Sequence, residues 1–522
     1  SKYQIPSAWS FSNIPTAERS LVPLCYVLPT EFMKSLLLLL ASGLWALSIA
    51  AQRPNIVLIM ADDMGYSDIG SYGSEIHTPV LDQLARNGLR NTQFYNTSRC
   101  CPTRAALISG LYSHQAGMGL MEGDRGWPGY RGSINKNCVT LAEALKGAGY
   151  RNYMSGKWHL TRHKSPNGDI SAWPMQRGFD RFYGTITGAG SFYDPATLCR
   201  GNTYITPEND PDYQPESFYY TDAINDNAIS FISDHCGNSK VADKPFFLYL
   251  PTNTPHVPNW VDEEYSKPYA DVGIYNGVEV PAAFYGMIAN IDENMAKLED
   301  FLAKEGLKDN TLLIYLNDNG TQSREASEIF NAGMQGFKRG MLDGGHRVAC
   351  FWRWPDRLKA GKDLADLTQV QDIFPTLAEY CNLPNPSKNI DGTSLAKLLL
   401  GEQSNLKDRK IVIQYSNREI SGLRWDHAIV LWDKWRLVGP EKLYDISTDL
   451  HQDKNVVDQF PDVAKAMREH YEQWYAKAKI RFDTPRYITV GSDANPSLTL
   501  YSNDWQGGYC DNPPNLVAAD TT

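Results

Sequence analysis

Four short runs of apolar residues recur along the first two thirds of the chain, and polar or charged residues follow each of them. The runs cover residues 55–60, 150–154, 245–250 and 312–316. Nearly continuous apolar runs of this length are typical of strands that are buried on both faces of a parallel sheet. Residues 78–87, 141–148 and 284–303 have the apolar spacing and length of helices. The pattern therefore predicts an α/β fold, with a large mixed, mostly parallel sheet flanked by helices.

The residues that follow these four runs are chemically reactive or able to bind ions. They are Asp62 and Asp63 after the first run, Lys157 and His159 after the second, His256 after the third, and Asp318 and Asn319 after the fourth. Ligands of open α/β sheets bind at the carboxyl ends of the strands. One such strand end is usually only a turn, but four of them in one chain predict a functional site at that edge of the sheet.

The pattern changes after Gly401. Short strand-like runs cover residues 410–415, 427–431 and 435–438, another begins at Leu443, and residues 460–479 have helical spacing. We therefore expect a catalytic domain at 52–404 and a smaller α+β domain at 405–480, with an antiparallel sheet and one helix across it. Residues 481–522 are rich in Asp, Asn, Ser and Pro, which predicts an irregular tail.

The composition of the N-terminal region predicts an export signal. Met33 and Lys34 precede an apolar run of about 16 residues, which is short for a membrane span of roughly 20 residues. We interpret residues 33–50 as a signal peptide and residues 1–32 as a doubtful leader, with an uncleaved anchor as the alternative. The expected protein is exported to the periplasm or the extracellular space, with no stable membrane insertion after cleavage.

The composition of the chain indicates which classes of ligand and function are expected. Among 522 residues, 60 Asp and Glu outnumber 50 Lys and Arg, so the formal net charge is −10. A basic face for general nucleic-acid binding is not expected, and an anionic substrate would need positive charge concentrated locally. None of the nine cysteines forms a Cys-x-x-Cys motif, so zinc-ribbon and thioredoxin functions lack support.

One pentapeptide concentrates the chemistry. Cys100-Cys101-Pro102-Thr103-Arg104 precedes a run of small helix formers, which places Cys100 at a helix N-terminus and Arg104 one turn later on the same face. A helix N-terminus and a guanidinium together favour an anionic group. A cysteine-dependent phosphatase would need five residues between Cys and Arg, and neither cysteine has that spacing. A buried capping cysteine stays open as the structural alternative.

The motif resembles the signature of the type I sulfatases in the alkaline phosphatase superfamily, in which the first cysteine is converted to formylglycine. The resemblance extends over most of residues 53–480, and arylsulfatase-type bacterial enzymes look most similar. It includes Ala61-Asp62-Asp63-Met64-Gly65, Gly156-Lys157-Trp158-His159-Leu160, Thr254-Pro255-His256, Asn317-Asp318-Asn319-Gly320, and Lys338 ahead of Asp343-Gly344-Gly345-His346-Arg347.

The resemblance implies a role for each matched position. Calcium ligands would be Asp62, Asp63, Asp318 and Asn319, together with formylglycine at position 100, and sulfate binding and catalysis would fall to Arg104, Lys157, His159, His256 and Lys338. An all-oxygen set suits a hard cation such as Ca²⁺, and Mg²⁺ stays an alternative. The implied reaction is attack of a hydrated aldehyde on sulfur, with proton transfers by Asp318, His159 and His256, and it requires a formylglycine-generating maturation enzyme as partner.

Two departures and several alternatives stay open. Cys101 stands where a small residue is commoner, and Asp343 stands where Glu is commoner. The alternative functions are a phosphodiester or phosphonate monoester hydrolase of the same superfamily, and a non-catalytic sulfated-glycan-binding protein with unmodified Cys100. The substrate is a sulfated small molecule or glycan whose leaving group the sequence does not define. The tyrosine-rich residues 193–220 either line a sugar-binding cleft or form a surface insertion with packed tyrosines.

Overall fold

A computed structural model describes residues 53–479, except for residues 137, 271–273, 276–277, 280, 384–389, 407 and 416–423. The predictions for residues 1–32, 33–50 and 481–522 lie outside the described residues and stay predictions, as do the domain boundaries. Within the described part of the chain, no helix is both long enough and apolar enough to cross a membrane.

Strands and helices alternate through most of the chain. The strands are β1 (Asn55–Ala61), β2 (Leu89–Asn91), β3 (Phe94–Tyr95), β4 (Arg151–Ser155), β5 (Arg181–Thr185), β6 (Leu198–Arg200), β7 (Thr203–Tyr204), β8 (Phe246–Pro251), β9 (Ile274–Tyr275), β10 (Val278–Glu279), β11 (Thr311–Asn317), β12 (Arg347–Val348), β13 (Cys350–Arg353), β14 (Lys362–Leu364), β15 (Thr368–Gln369), β16 (Lys410–Gln414), β17 (Ala428–Trp432), β18 (Trp435–Val438) and β19 (Lys442–Asp445). The helices are α1 (Pro79–Arg86), α2 (Cys100–Ser109), α3 (Leu141–Gly147), α4 (Tyr220–Gly237), α5 (Glu263–Ala270), α6 (Ala282–Lys304), α7 (Arg324–Ile329), α8 (Asp343–His346), α9 (Ile373–Tyr380), α10 (Ala396–Leu399) and α11 (Pro461–Lys479). Short 3-10 turns span Tyr66–Asp68, Gly70–Tyr72, Pro174–Arg177 and Val370–Asp372.

A ten-stranded sheet forms the centre of the molecule. Its order is β14-β2-β13-β11-β1-β8-β4-β5-β6-β7. The run β11-β1-β8-β4-β5 is parallel throughout, and the strands on both sides of it include antiparallel pairs. The predicted mixed, mostly parallel sheet is therefore confirmed.

The central strands are buried because helices cover both faces. Along β1 the side chains alternate: Ile56, Leu58 and Met60 join one apolar core cluster, while Val57, Ile59 and Ala61 join the other. Helix α2 contributes to the first cluster, whereas α4 and α6 contribute to the second. This arrangement explains why the strands appear in the sequence as continuous apolar runs.

A four-stranded antiparallel sheet, β16-β17-β18-β19, forms the C-terminal unit. One face of it packs against α11 through side chains such as Val430 and Tyr471. The other face packs Ile411 and Leu431 against Tyr95 and its neighbours in the larger part. The predicted small antiparallel sheet with one helix is confirmed.

Candidate active site

All four predicted strand ends lie at the same edge of the central sheet. Strands β11, β1, β8 and β4 are consecutive neighbours and run in the same direction. Ala61 is in register with Asn317, and Met60 with Pro251, so the residues that follow these strands emerge side by side. This geometry brings together residues that are more than 250 positions apart in the sequence.

Helix α2 begins at Cys100, as the pentapeptide predicts. Arg99 is extended, and the main-chain N–H of Thr103 donates to Arg99 O at 3.0 Å, closing the first turn. Pro102 costs no hydrogen bond there, because the first N–H groups of a helix have no partner within it. All ten residues of α2 are buried, so Cys100 and Arg104 lie inside the protein and away from its surface.

Three carboxylates and three fixed cations interlock at this edge. Arg104 Nη2 lies 2.9 Å from Asp318 Oδ2 and 3.3 Å from Asp62 Oδ1. Lys157 Nζ donates to Asp62 Oδ2 at 2.6 Å, and Lys338 Nζ donates to Asp63 Oδ2 at 2.5 Å. The three carboxylates are fully buried, so their charges interact strongly in a medium of low polarity. This charged cluster consists of six residues: Asp62, Asp63, Asp318, Arg104, Lys157 and Lys338.

Protonation of the carboxylates follows from this crowding. Burial alone would raise the pKa of Asp62, but the charges of Lys157 and Arg104 hold that pKa well below its usual value. Asp63 behaves in the same way: Lys338 overcomes the effect of burial and lowers its pKa. Burial and the adjacent charge of Asp62 instead raise the pKa of Asp318 to about 8. Asp318 is thus the carboxyl group of the three that needs further positive charge nearby in order to ionise at neutral pH.

The oxygen-rich corner around these carboxylates fits a hard cation. Asp62, Asp63 and Cys100 each bring one potential ligand atom within 4.8 Å of the others. Asn319 Oδ1 is buried and has no hydrogen-bond partner among the described residues, although Asn319 Nδ2 donates to Asp63 Oδ1 at 2.9 Å. A buried, unpaired amide oxygen beside carboxylates is a suitable ligand for Ca²⁺ or Mg²⁺. The residues present therefore fit the implied metal.

Cys100 and Cys101 lie in different surroundings. Cys100 Sγ is 3.9 Å from Asp63 Oδ1, at the inner end of the cluster. Burial raises the pKa of the Cys100 thiol, so an unmodified Cys100 is protonated at neutral pH. Cys101 is fully buried in the apolar core. Among the cysteines that the structure describes, all are free thiols, so Cys101 forms no disulfide with them.

The two histidines flank the cluster in different ways. His256 Nδ1–H donates to Val257 O at 2.7 Å, and His256 Nε2 lies 3.4 Å from Asp63 Oδ2. His159 is buried, and burial together with the charges of Lys157 and Arg104 lowers its pKa well below the usual value. His159 is consequently neutral at pH 7. Its contact with the cluster is electrostatic rather than a direct hydrogen bond.

One carboxylate beside His159 has no signal in the sequence. Glu122 Oε1 lies 3.8 Å from His159 Nε2, and Lys164 Nζ lies 2.8 Å from Glu122 Oε2. Glu122 belongs to no motif and follows no strand, so only the folded chain reveals it.

The tyrosines of residues 193–220 fall into two groups. Tyr219 and Tyr220 pack in the core, whereas Tyr193 and Tyr204 are exposed.

Asp343 and His346 serve packing rather than the cluster. The Asp343 side chain accepts hydrogen bonds from Tyr95 and Arg436. Burial lowers the pKa of His346 to about 4, so this histidine is uncharged at neutral pH.

A family model described as Sulfatase matches residues 54–383. The chain belongs to the sulfatase family. A second model, described as N-sulphoglucosamine sulphohydrolase, C-terminal, matches residues 334–477 of this sulfatase. The resemblance stated from the motifs is thereby confirmed.

Curated relatives and solved structures agree with this assignment. The sulfatase is 32% identical to human arylsulfatase A, over 70% of this chain and 71% of that protein. It is 28% identical to the arylsulfatase of Klebsiella aerogenes, over 68% of this chain and 91% of that protein. It also resembles the crystal structure of Ps i-CgsB in complex with k-i-k-neocarrahexaose, with a TM-score of 0.69, 25% identity, and coverage of 81% of this chain and 93% of that one. The sulfatase is accordingly a sulfuric ester hydrolase.

Proposed function

We propose that this sulfatase hydrolyses the sulfate ester of a small molecule or carbohydrate, using formylglycine made from Cys100 and a bound divalent cation, Ca²⁺ in the first instance. The observation that carries the proposal is the position of Cys100. It begins a buried helix and lies 3.9 Å from Asp63, within a cluster that also holds Arg104, Lys157 and Lys338. Among the described cysteines, only Cys100 belongs to a group of side chains that could hold a metal ion.

Formylglycine would supply a hydrated aldehyde as the nucleophile for sulfur. The cation would add positive charge for the sulfate oxygens, and it would be held by Asp62, Asp63, Asp318, Asn319 and residue 100. When all three carboxylates are ionised, they balance the three fixed cations, so a bound divalent ion would make the site electropositive. This local charge offsets the acidic surface of the protein when a sulfate monoester approaches.

The chain's own side chains complete the reaction. Arg104 is fixed by Asp318 and by its hydrogen bond from Nη1 to Lys157 O at 3.1 Å, so it presents a rigid positive charge. His256 donates its Nδ1–H to Val257 O, so Nε2 carries a proton only when the ring is positively charged. Burial lowers the pKa of His256, whereas Asp63, whose Oδ2 lies 3.4 Å from Nε2, favours the charged ring. In that charged form Nε2 would pass its proton to the leaving alcohol. Burial and the charges of Lys157 and Arg104 make neutral His159 a weak base. Its buried Nδ1, which has no hydrogen bond within the described residues, is the ring atom that would accept a proton during the reaction.

Mass spectrometry of one tryptic peptide tests the modification. Trypsin cuts after Arg99 and Arg104, and it releases a five-residue peptide that contains both cysteines. We expect fragmentation to place an aldehyde at position 100 and an intact thiol at Cys101. Cys101→Ala is the matched control, and it should keep the aldehyde because Cys101 lies in the apolar core. An unmodified Cys100 in an active preparation would contradict the proposal.

Activity on paired substrates tests the reaction class. We expect hydrolysis of 4-nitrophenyl sulfate to exceed hydrolysis of bis(4-nitrophenyl) phosphate, and Cys100→Ala to abolish it. A preference for the phosphodiester would favour the phosphohydrolase alternative. Intact sulfated ligand recovered from an unmodified protein would favour the binding-protein alternative.

We also infer export from residues 33–50. N-terminal sequencing of the protein secreted by the source cells should find a chain that begins close to residue 51. A mature chain that retains residues 33–50 would indicate the anchor instead.

A further inference from the structure

A cavity of about 350 Å³ opens beside the candidate active site, on the side of His256 and Lys338. Because His256 protonates the leaving alcohol in the proposed reaction, the alcohol part of the substrate occupies this cavity. Its volume lies within the range of small-molecule sites, which begins at roughly 300 Å³. The cavity lining therefore determines which sulfate esters fit.

Two arginines in the lining are sequence neighbours of active-site residues. Arg99 precedes Cys100, and Arg339 follows Lys338. Their two segments are joined by hydrogen bonds, from Arg339 N to Ser98 O at 3.1 Å and from Ser98 Oγ to Gly340 O at 3.0 Å. Arg339 has a φ of 70°, a left-handed conformation that a side chain other than glycine seldom adopts. The folded chain thus holds both arginines at one side of the cavity.

Neither arginine has an acidic partner within the described residues. Arg99 is half-buried, and its contacts are neutral: Nε lies 3.2 Å from Met121 Sδ, and the guanidinium lies 5.6 Å from the centre of the Tyr415 ring. Arg339 is exposed and uses its main-chain N–H for Ser98. Several other arginines with little exposure do form ion pairs, such as Arg177 with Glu143, Arg200 with Asp210 and Arg409 with Asp372.

The remaining lining compensates only part of this positive charge. The described lining contains one carboxylate, Glu325, which accepts a hydrogen bond from Ser323 Oγ at 3.2 Å. Lys338 is already paired with Asp63. A half-buried guanidinium without an anion is costly to leave unpaired when a substrate displaces water. An apolar leaving group would impose that cost, whereas an anionic one would remove it.

We propose that Arg99 and Arg339 bind a second anionic group of the substrate, so that the preferred substrate is a carbohydrate sulfate carrying another sulfate or a carboxylate near the scissile ester. The inference rests on the proposed sulfate-ester hydrolysis and names its substrate class. A guanidinium binds either anion through two parallel hydrogen bonds. Sulfated and carboxylated sugars share this chemistry and are separated by experiment.

The test compares kcat/KM for four substrates: 4-nitrophenyl sulfate, a monosulfated hexosamine, its disulfated counterpart, and a monosulfated disaccharide that contains a uronate. For the wild-type enzyme we expect at least one anionic sugar to exceed the monosulfated hexosamine by about tenfold or more, since an added charged hydrogen bond has roughly that effect. The larger of the two gains identifies the second anion as sulfate or carboxylate.

Variants then test whether Arg99 and Arg339 cause the preference for the anionic sugar. Arg99→Gln and Arg339→Gln should each reduce the ratio of kcat/KM for the anionic sugar over the monosulfated hexosamine, mainly by raising KM. Arg99→Lys should restore part of the ratio at low salt, since it keeps the charge without the planar fork. Arg324→Gln is the matched control, because this exposed arginine is paired with Glu328 and does not line the cavity. It should keep the wild-type ratio.

The outcomes separate this inference from the proposed function. If the enzyme cleaves all four sulfates with equal kcat/KM, or if the glutamine variants keep the wild-type ratio, the inference is wrong and the sulfatase activity stands. If 4-nitrophenyl sulfate and every sugar sulfate stay intact with aldehyde present at position 100, the proposed function is wrong and the inference fails with it.

Discussion

Replacing Arg436 by methionine should destabilise the protein through a single buried ion pair. Arg436 on β18 and Asp343 on α8 are both fully buried, and Arg436 Nε lies 3.1 Å from Asp343 Oδ1. Tyr95 Oη donates to Asp343 Oδ2 at 2.9 Å and accepts from Arg436 Nη2 at 2.6 Å. The pair therefore joins the C-terminal sheet to the segment that follows Lys338.

The expected loss follows from leaving Asp343 charged and unpaired. Removing one partner of a buried ion pair costs about 3 to 5 kcal/mol. The lower end applies here, because Arg347 Nη1 lies 4.0 Å from Asp343 Oδ2 and the Tyr95 hydroxyl still donates to the same oxygen. Arg436→Met thus predicts a loss of about 3 kcal/mol in the free energy of unfolding.

The loss should depend on pH with a defined sign. Burial alone would raise the pKa of Asp343, but Arg436 outweighs it and holds the pKa below the ordinary value of 3.8. In the wild type this depressed pKa contributes stability above pH 3.8, and the contribution disappears as the pH falls through the folded pKa. Without Arg436, burial raises the pKa of Asp343, so protonation relieves the penalty as the pH falls. The deficit of Arg436→Met is therefore smaller at pH 5 than at pH 8.

Urea unfolding followed by tryptophan fluorescence measures these differences, since Trp432 and Trp435 lie in the C-terminal sheet. Asp343→Asn should show a similar loss that is constant from pH 5 to pH 8, because the residue left unpaired is then an arginine. Arg324→Met removes an exposed ion pair, in which Arg324 Nε lies 2.8 Å from Glu328 Oε1, and it should shift the urea midpoint very little. If Arg436→Met loses no more than Arg324→Met, or if its deficit grows at pH 5, the reasoning is refuted.

Three further changes test the geometry of the active site. Gly188→Ala would place Cβ 2.0 Å from His159 Cε1, so kcat for 4-nitrophenyl sulfate should fall at least tenfold. In the control variant Gly147→Ala, the added Cβ meets nothing within 4 Å, and kcat should stay at the wild-type value. A fully active Gly188→Ala enzyme would contradict the close packing of Gly188 against His159. Gly320→Ala would place Cβ 2.0 Å from Gly344 O and should lower both activity and the thermal midpoint, as activity assays and calorimetry would show. Removal of divalent cations with a chelator should abolish activity and lower the thermal midpoint. Added Ca²⁺ should restore both, since an ion that binds only the folded state stabilises that state. Full activity after exhaustive chelation would count against a metal in this site.

The sequence predicted the parts of the molecule that depend on local pattern. Strands β1, β4, β8 and β11 differ from the predicted runs by at most one residue at each end, because apolar continuity marks a strand buried on both faces. Their carboxyl ends meet at one edge because parallel neighbours share a direction. Glu122 and Arg436 escaped prediction for the opposite reason. Each acquires its role from a partner distant in sequence, and no periodicity or motif links such residues before the chain folds.

The C-terminal sheet is part of what holds Lys338 in place. Lys338 N donates to Thr321 O at 2.9 Å, which ties its segment to the loop after β11. The same segment reaches Asp343, and Arg436 fixes that residue from β18. Lys338 is thus fixed from two directions, by the strand that presents Asp318 and by the C-terminal sheet. A change in the C-terminal sheet can therefore alter the contact between Lys338 and Asp63 without touching any residue of the active site.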